Sequence, residues 1–450
     1  MRKVLTLILF LTTLNCVAQS QNSGDNFLGS KTLYKQPAKP NTTTPASYAP
    51  VFINHVGRHG ARYPTKPIDS SSAYKLILKA YKESQLSTQG LALRSMVLAL
   101  QTVVKNNAGS ISDEGKSELT GIGERMAQHY GTVFARMNMI QMRDTKEKRT
   151  HQSADAFLGG LYRKLLPVHP DTNVKQDNVS LRFYDLSPAY KKFENGVEST
   201  EPEISFDKQL RLEKIDDSVA YNIFKPSLFN KLTTSQKKKF VSDLFGFACI
   251  VYSLKHEIDS AGVSKQIDFE SFFNCGQLDA LGILDSADEY LKKGPGVNNN
   301  GIQVRVAVPL LVDFINTADE NIKSGKNGAK LRFAHAETIA PIAALFEIEG
   351  ADKASSNIYT ISKIWKASKV IPLSSNIQWI FYRNTKTPYD YVVKILLNEQ
   401  EVSISGLDSL KIKNSNCYHW KDLRSFYMKK LAALHVKLTD DMAAYLADLK

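Results

Sequence analysis

Three short clusters in this chain bring arginine, histidine and glutamate close together. They are Arg58-His59-Gly60-Ala61-Arg62-Tyr63-Pro64, Arg149-Thr150-His151-Gln152-Ser153 and His335-Ala336-Glu337-Thr338. In the first, two arginines flank one histidine. An arginine fork matches two oxygens of a phosphate at once. A histidine between two permanent cations titrates low, so its ring stays neutral and free to act as a nucleophile. Gly57 and Gly60 would let backbone approach a ligand closely. In the second cluster Arg149 offers one more cation. In the third, His335 and Glu337 open a helix, where backbone N–H groups favour anions, and a glutamate there can serve as a general acid. Each cluster also has a plain structural reading: a basic surface loop, an exposed arginine in a run with Lys146 and Lys148, and a glutamate that complements a helix dipole. Taken together they describe a site for a phosphoryl group, with a histidine for attack and a carboxylate for the leaving oxygen.

The surrounding pattern supplies the elements. Pro50 to Val56 reads as a buried strand that ends at the first cluster, Met139 to Met142 as a strand before the second, and Ala329 to Ala334 as a strand before the third. Helical periodicity follows each, over 71–105, Leu119 to Met137, Ser153 to Leu166 and Thr338 to Phe346. Ligands of open α/β sheets bind beyond the carboxyl ends of the strands, so strand-to-helix corners are where such clusters belong. Helical spacing also runs over Thr234 to Glu257, Gln277 to Lys293 and Val306 to Ile322. Further strands are read at Trp379 to Arg383 and Tyr391 to Leu397, and a closing helix at Leu423 to Leu449. The expected organisation is an α/β core split in sequence, 19–165 and 301–450, around a mainly helical insertion over 166–300.

With 43% hydrophobic and 23% charged residues, disordered and low-complexity classes are excluded. A net charge of +13 implies an anionic partner. Val4 to Leu14 is apolar after Arg2 and Lys3, and too short for a bilayer span. It reads as a secretory leader over 1–18, cleaved after Cys16-Val17-Ala18, so the chain is expected to be exported, to the periplasm, the outer membrane or outside the cell. Lipidation at Cys16 is the alternative, and Asn15 before it is a poor fit. Export permits disulfides, and among Cys249, Cys275 and Cys417 the favoured pair is Cys249 with Cys275. No cysteine–histidine cluster has zinc spacing, and no nucleic-acid-binding motif stands out.

Arg58 to Pro64 resembles the RHGxRxP signature of the histidine acid phosphatases, and His335-Ala336-Glu337 resembles the HAE variant of the multiple inositol polyphosphate phosphatases. Other stretches are similar to that family's landmarks: Leu28 to Thr32, Leu119 to Glu124, Leu181 to Asp185, Asp288 to Leu291, Lys386 to Pro388 and Leu396 to Glu399. The resemblance covers nearly all of the chain after residue 26. It implies an open, mostly parallel α/β sheet flanked by helices, with the helical insertion on the substrate side. It also implies hydrolysis of inositol polyphosphates such as phytate through a phosphohistidine on His59. Arg58, Arg62, Arg149 and His335 would hold the phosphoryl oxygens, and Glu337 would protonate the departing oxygen. No metal or other cofactor is implied, and a monomer is expected.

A substrate with six phosphates needs cations beyond the catalytic pocket. Arg182 matches a family arginine and is the first candidate for such a wall. Lys31, Lys292, Lys293, Arg305 and Arg143 are further candidates, for which a solvated surface role is the plainer reading. A broad-specificity acid phosphatase and a non-catalytic anion-binding protein are the competing expectations.

Overall fold

The computed structural model describes residues 27–134, 140–165, 174–326 and 328–450. The leader and its cleavage site lie outside them, as does the start of the strand read at Met139. The described chain divides into two compact units. One comprises residues 33–62, 110–202 and 288–450; the other comprises the described residues up to 32, with 63–109 and 203–287.

The first unit is built on an eight-stranded sheet. Its strands are β1 (Tyr48–Arg58), β2 (Ile140–Asp144), β3 (Val174–Gln176), β4 (Gly328–Ala334), β5 (Asn376–Asn384), β6 (Tyr391–Leu397), β7 (Gln400–Glu401) and β8 (Cys417–His419). The order is β3-β2-β4-β1-β5-β6-β7, with β8 also on β6. β3, β2, β4 and β1 run parallel; β5, β6, β7 and β8 continue the sheet antiparallel. This is the open α/β sheet that was expected, and its parallel half carries the three clusters.

β1 is buried without alternation from Val51 to Arg58, as a strand covered on both faces must be. One face packs on helices Asp113–Phe134 and Lys148–Leu165 through Leu119, Ile122, Phe157 and Leu161. These two helices touch backbone to backbone. A Cβ at Gly123 would lie 2.1 Å from the Phe157 carbonyl oxygen, and one at Gly160 would lie 2.0 Å from that of Thr120. The other face carries an aromatic cluster in which Trp379 meets Phe314, Phe346 and Tyr427.

The second unit is helical. Ser72–Lys82, Thr88–Val104, Leu212–Ile223 and Thr234–Ser253 pack around Ile77, Leu93, Val97, Phe224, Phe240 and Leu244. Ser71, Ser87 and Thr233 cap three of these helices. Residues 63–109, expected in the α/β core, belong to this unit, and 174–202, expected in the helical insertion, fall on the sheet side of the division. Periodicity marks Ile77 and Leu93 as facing a core without saying whose side chains complete it. The expected Cys249–Cys275 pair is not formed. Cys249 is a free thiol among core side chains, its pKa pushed up to about 12 by burial, and Cys417 is free.

The closing helix is also interrupted. Trp420–Ala433 ends before His435, which adopts a left-handed conformation (φ 57°), and Met442–Asp448 forms a separate helix. Among the described residues no helix is long and apolar enough to cross a membrane.

Candidate active site

The parallel pairing of β1 with β4 places Arg58 opposite Ala334. His59 and His335, the next residue on each strand, therefore emerge side by side. The His59 N–H donates to the Ala334 carbonyl (3.0 Å), and the two rings stand 5.6 Å apart at 66°. Asp144 ends β2 beside β4, and the helix Lys148–Leu165 then carries Arg149 back over the same edge.

His59 is 4% exposed. Its Nδ1 lies 2.9 Å from the carbonyl oxygen of Gly60. A carbonyl only accepts, so Nδ1 holds the proton and Nε2 holds the lone pair. Burial, then the charges of Arg58 and Arg62, with His335 and Arg149 adding to them, hold the ring well below the usual histidine range. The residue is thus an uncharged imidazole with one free basic nitrogen.

Arg58 is buried and donates to the carbonyl of Ile371. Arg62 is pushed down to about 10, by burial first and then by Arg149 and Arg58; such mutual repulsion stores affinity for an anion. Arg149 donates to Glu147 (3.0 Å) and from Nη2 to the Nδ1 of His335 (3.2 Å). His335 then carries its proton on Nε2, which donates to the Thr145 hydroxyl (2.9 Å). Burial, followed by Arg149, pushes His335 down to about 3.

Glu337 lies in the first turn of the helix Ala336–Leu345. Its carboxylate pairs with Lys293 at 3.0 Å, and Lys293 pairs also with Glu289 at 2.9 Å. Despite burial, which opposes charge, the Lys293 ammonium holds Glu337 far below the usual carboxylate range. The group expected to donate a proton is therefore ionised in the free protein.

The loop between His59 and Arg62 is fixed from behind. A Cβ at Gly60 would meet the Gly115 carbonyl at 2.7 Å, and one at Gly115 would meet that of Ala61 at 2.0 Å. Gly60 thus serves close packing of this loop on the helix Asp113–Phe134 rather than the expected approach of a ligand, and Gly57 faces the ring of His55. Buried Glu118 accepts from the Ala61 N–H (2.9 Å), the Ser374 hydroxyl (2.7 Å) and the Tyr34 N–H (2.8 Å). Ser153 accepts from the Gly60 N–H (3.2 Å).

Six of the expected residues, Arg58, His59, Arg62, Arg149, His335 and Glu337, thus gather at one edge. The outer candidates differ. Arg182 donates to Glu147 (2.5 Å) and pairs with Asp185, so Glu147 joins it to Arg149. Lys292 pairs with Asp288. Lys31 lies in the helical unit, paired with Asp285 at 2.7 Å. Arg305 donates to the Lys450 carbonyl. Arg143 is not brought to the cluster: it turns back on the Met142 carbonyl (2.8 Å) and adds to the positive field around Lys330 and Arg332. Glu118, Thr145 and Tyr184, which packs its ring on His335, were not anticipated. Glu147 could have been noticed as a lone acid in a basic run; the others carry no signal before the chain folds.

An uncharged histidine ringed by guanidinium groups, beyond the carboxyl ends of parallel strands, defines an α/β protein built to hold a tetrahedral oxyanion against a nucleophilic nitrogen. The chain belongs to the histidine phosphatase superfamily (branch 2), whose model matches residues 51–398. It is similar to multiple inositol polyphosphate phosphatase 1 of Gallus gallus, 20% identical over 403 residues, 87% of this chain and 84% of that protein. The Drosophila melanogaster protein of the same name is 23% identical over 378 residues, 77% and 73% of the two chains. The fold is shared with the Bifidobacterium longum multiple inositol polyphosphate phosphatase solved with inositol hexasulfate. The TM-score there is 0.78 at 21% identity, covering 92% of this chain and 99% of that one. The phytase of D. castellii follows, with a TM-score of 0.60 at 16% identity, covering 91% and 85%.

Proposed function

We propose that this chain is an exported phosphomonoesterase that hydrolyses inositol polyphosphates through a phosphohistidine. Nε2 of His59 attacks phosphorus, forming a P–N bond as the P–O bond to the inositol breaks. The electron pair of that bond goes to the inositol oxygen, which takes a proton from Glu337. Glu337 then removes a proton from water, which attacks phosphorus and releases His59 and inorganic phosphate. Arg58, Arg62 and Arg149 hold the equatorial oxygens throughout, and His335 joins them by exchanging its Nε2–H contact with Thr145 for a phosphoryl oxygen. Phosphoryl transfer depends chiefly on positioning and charge stabilisation, and this set of side chains supplies both.

The observation that carries the reading is the tautomer of His59. With Nδ1–H engaged by Gly60, the lone pair is left on Nε2, and burial together with the surrounding cations disfavours its protonation. The curated relatives are named for inositol polyphosphates, and the net charge of +13 suits such a polyanion. The test is trapping: brief exposure to labelled inositol hexakisphosphate followed by quenching is expected to leave acid-labile, base-stable label on His59. Label on any other residue refutes the mechanism.

A broad-specificity acid phosphatase is the second reading. It is favoured by the outer cations Arg182 and Lys292, whose charges are already met by carboxylates. Resolving positional isomers as phytate is consumed separates the two: an ordered series supports the inositol polyphosphate enzyme, and a random one supports the broad phosphatase.

A further inference from the structure

Lys293 stands between two carboxylates. Its Nζ is 2.9 Å from Glu289 and 3.0 Å from Glu337. The lysine and Glu289 are 12% and 14% exposed, whereas Glu337 is 34% exposed, so Glu337 is the open end of the triad. One cation facing two anions leaves the group one negative charge in excess.

A carboxylate paired with an ammonium cannot donate a proton. It becomes an acid only when the pair is broken or its charge is met elsewhere. The other groups that face Glu337 act both ways. Arg58 and Arg62 favour its charged form, and Glu194, Tyr184 and Tyr190 lie close enough to sense it. Any bound phosphoryl group would occupy the arginines. Lys293 is different, because it touches the acid rather than the nucleophile. The leaving oxygen must sit at Glu337, and it is bonded to a ring carbon whose neighbours bear further phosphates. A cation in contact with the acid is therefore within reach of a vicinal phosphate.

We propose that Lys293 makes the reaction selective for esters carrying a second phosphate. That phosphate draws Lys293 away from Glu337, and Glu337 then takes from solvent the proton that it delivers to the leaving oxygen. This inference rests on the acid role proposed above for Glu337. A monophosphate ester engages the arginines but leaves the Lys293–Glu337 pair closed, so its leaving oxygen goes unprotonated.

The experiment compares inositol hexakisphosphate with glycerol 2-phosphate, an unactivated ester with one phosphate. Lys293→Met is expected to lower kcat/KM for the hexakisphosphate by roughly tenfold or more, the loss of one charged contact, and to raise it for glycerol 2-phosphate. Lys293→Arg is expected to restore the wild-type preference. A merely structural lysine would lower both substrates together, and that result overturns the proposal.

A second measurement needs no variant. In the wild-type enzyme kcat for the hexakisphosphate is expected to persist to higher pH than kcat for glycerol 2-phosphate, because only the former releases Glu337 from its lysine. Coincident basic limbs overturn the proposal. Wild-type enzyme that turns over neither ester would overturn the phosphatase reading and this inference with it, whereas turnover of both with an unaltered preference in Lys293→Met refutes the lysine's role alone.

Discussion

Arg149 donates from Nη2 to the Nδ1 of His335 across 3.2 Å, and this contact decides which nitrogen of His335 carries the proton. With Nδ1 accepting, Nε2–H faces Thr145, and the ring stays neutral under the field of the guanidinium. The same guanidinium is steadied by Glu147, which also takes a hydrogen bond from Arg182. A pocket of several arginines would repel itself apart if every charge were loose. Here neighbouring carboxylates and carbonyls hold the arginines in place, while burial and the charge of those arginines keep the two imidazoles neutral.

His59→Ala should lower turnover by roughly four orders of magnitude or more, as removal of a nucleophile does. The fold should survive, since the His59 ring hydrogen-bonds its own neighbour Gly60. Steady-state rates beside a thermal melt check this; substantial residual turnover would rule out the covalent route.

Glu337→Gln should slow phytate by roughly a hundredfold or more, the usual worth of a positioned acid. An aryl phosphate with a good leaving group should be spared, since its oxygen departs without a proton. Rates on the two substrates, measured side by side, decide the matter, and equal losses would remove Glu337 from the acid role.

Acid should weaken the fold through His335. Its pKa is about 3 in the native pocket against 6.5 in an open chain. Above about 6.5 neither state binds the proton. Between there and about 3 the unfolded chain takes up a proton that the pocket refuses, so stability falls as pH falls. Below about 3 the penalty is constant. Tm should therefore drop across that window more steeply in the wild type than in His335→Gln; parallel curves would contradict the buried neutral state.

Glu118→Ala should cost about 1–3 kcal/mol, since it strands buried partners such as the Ala61 N–H. It should also loosen the His59–Arg62 loop, so kcat should fall further than the loss of folded protein explains. Denaturant titration together with active-site counting would check this. A stable variant with normal kcat would mean that the glycine packing alone holds the loop.

If the net charge of +13 helps to capture phytate, high salt should raise KM for phytate more than KM for a monophosphate, because long-range attraction is screened while contacts to the buried arginines are not. Equal shifts would mean that the basic surface plays no part in substrate capture.

Where the chemistry lies along the chain is legible in local residue order. Two arginines around a histidine, and a histidine two residues before a glutamate, each at the end of an apolar run, are local patterns. They reflect strand burial and helix starts that neighbouring residues dictate. Strands and helices were readable for the same reason, as at β4 and in the helix Thr234–Ser253. What depends on non-local packing was not readable. Only the parallel register of β1 on β4 brings His59 beside His335. Only the folded chain brings residues 63–109 into one core with 203–287, keeps Cys249 from Cys275, turns Arg143 away and sets Lys293 against Glu337. The protonation states followed from those contacts, because a pKa is set by burial and by charges that are near in space, whatever their distance along the chain.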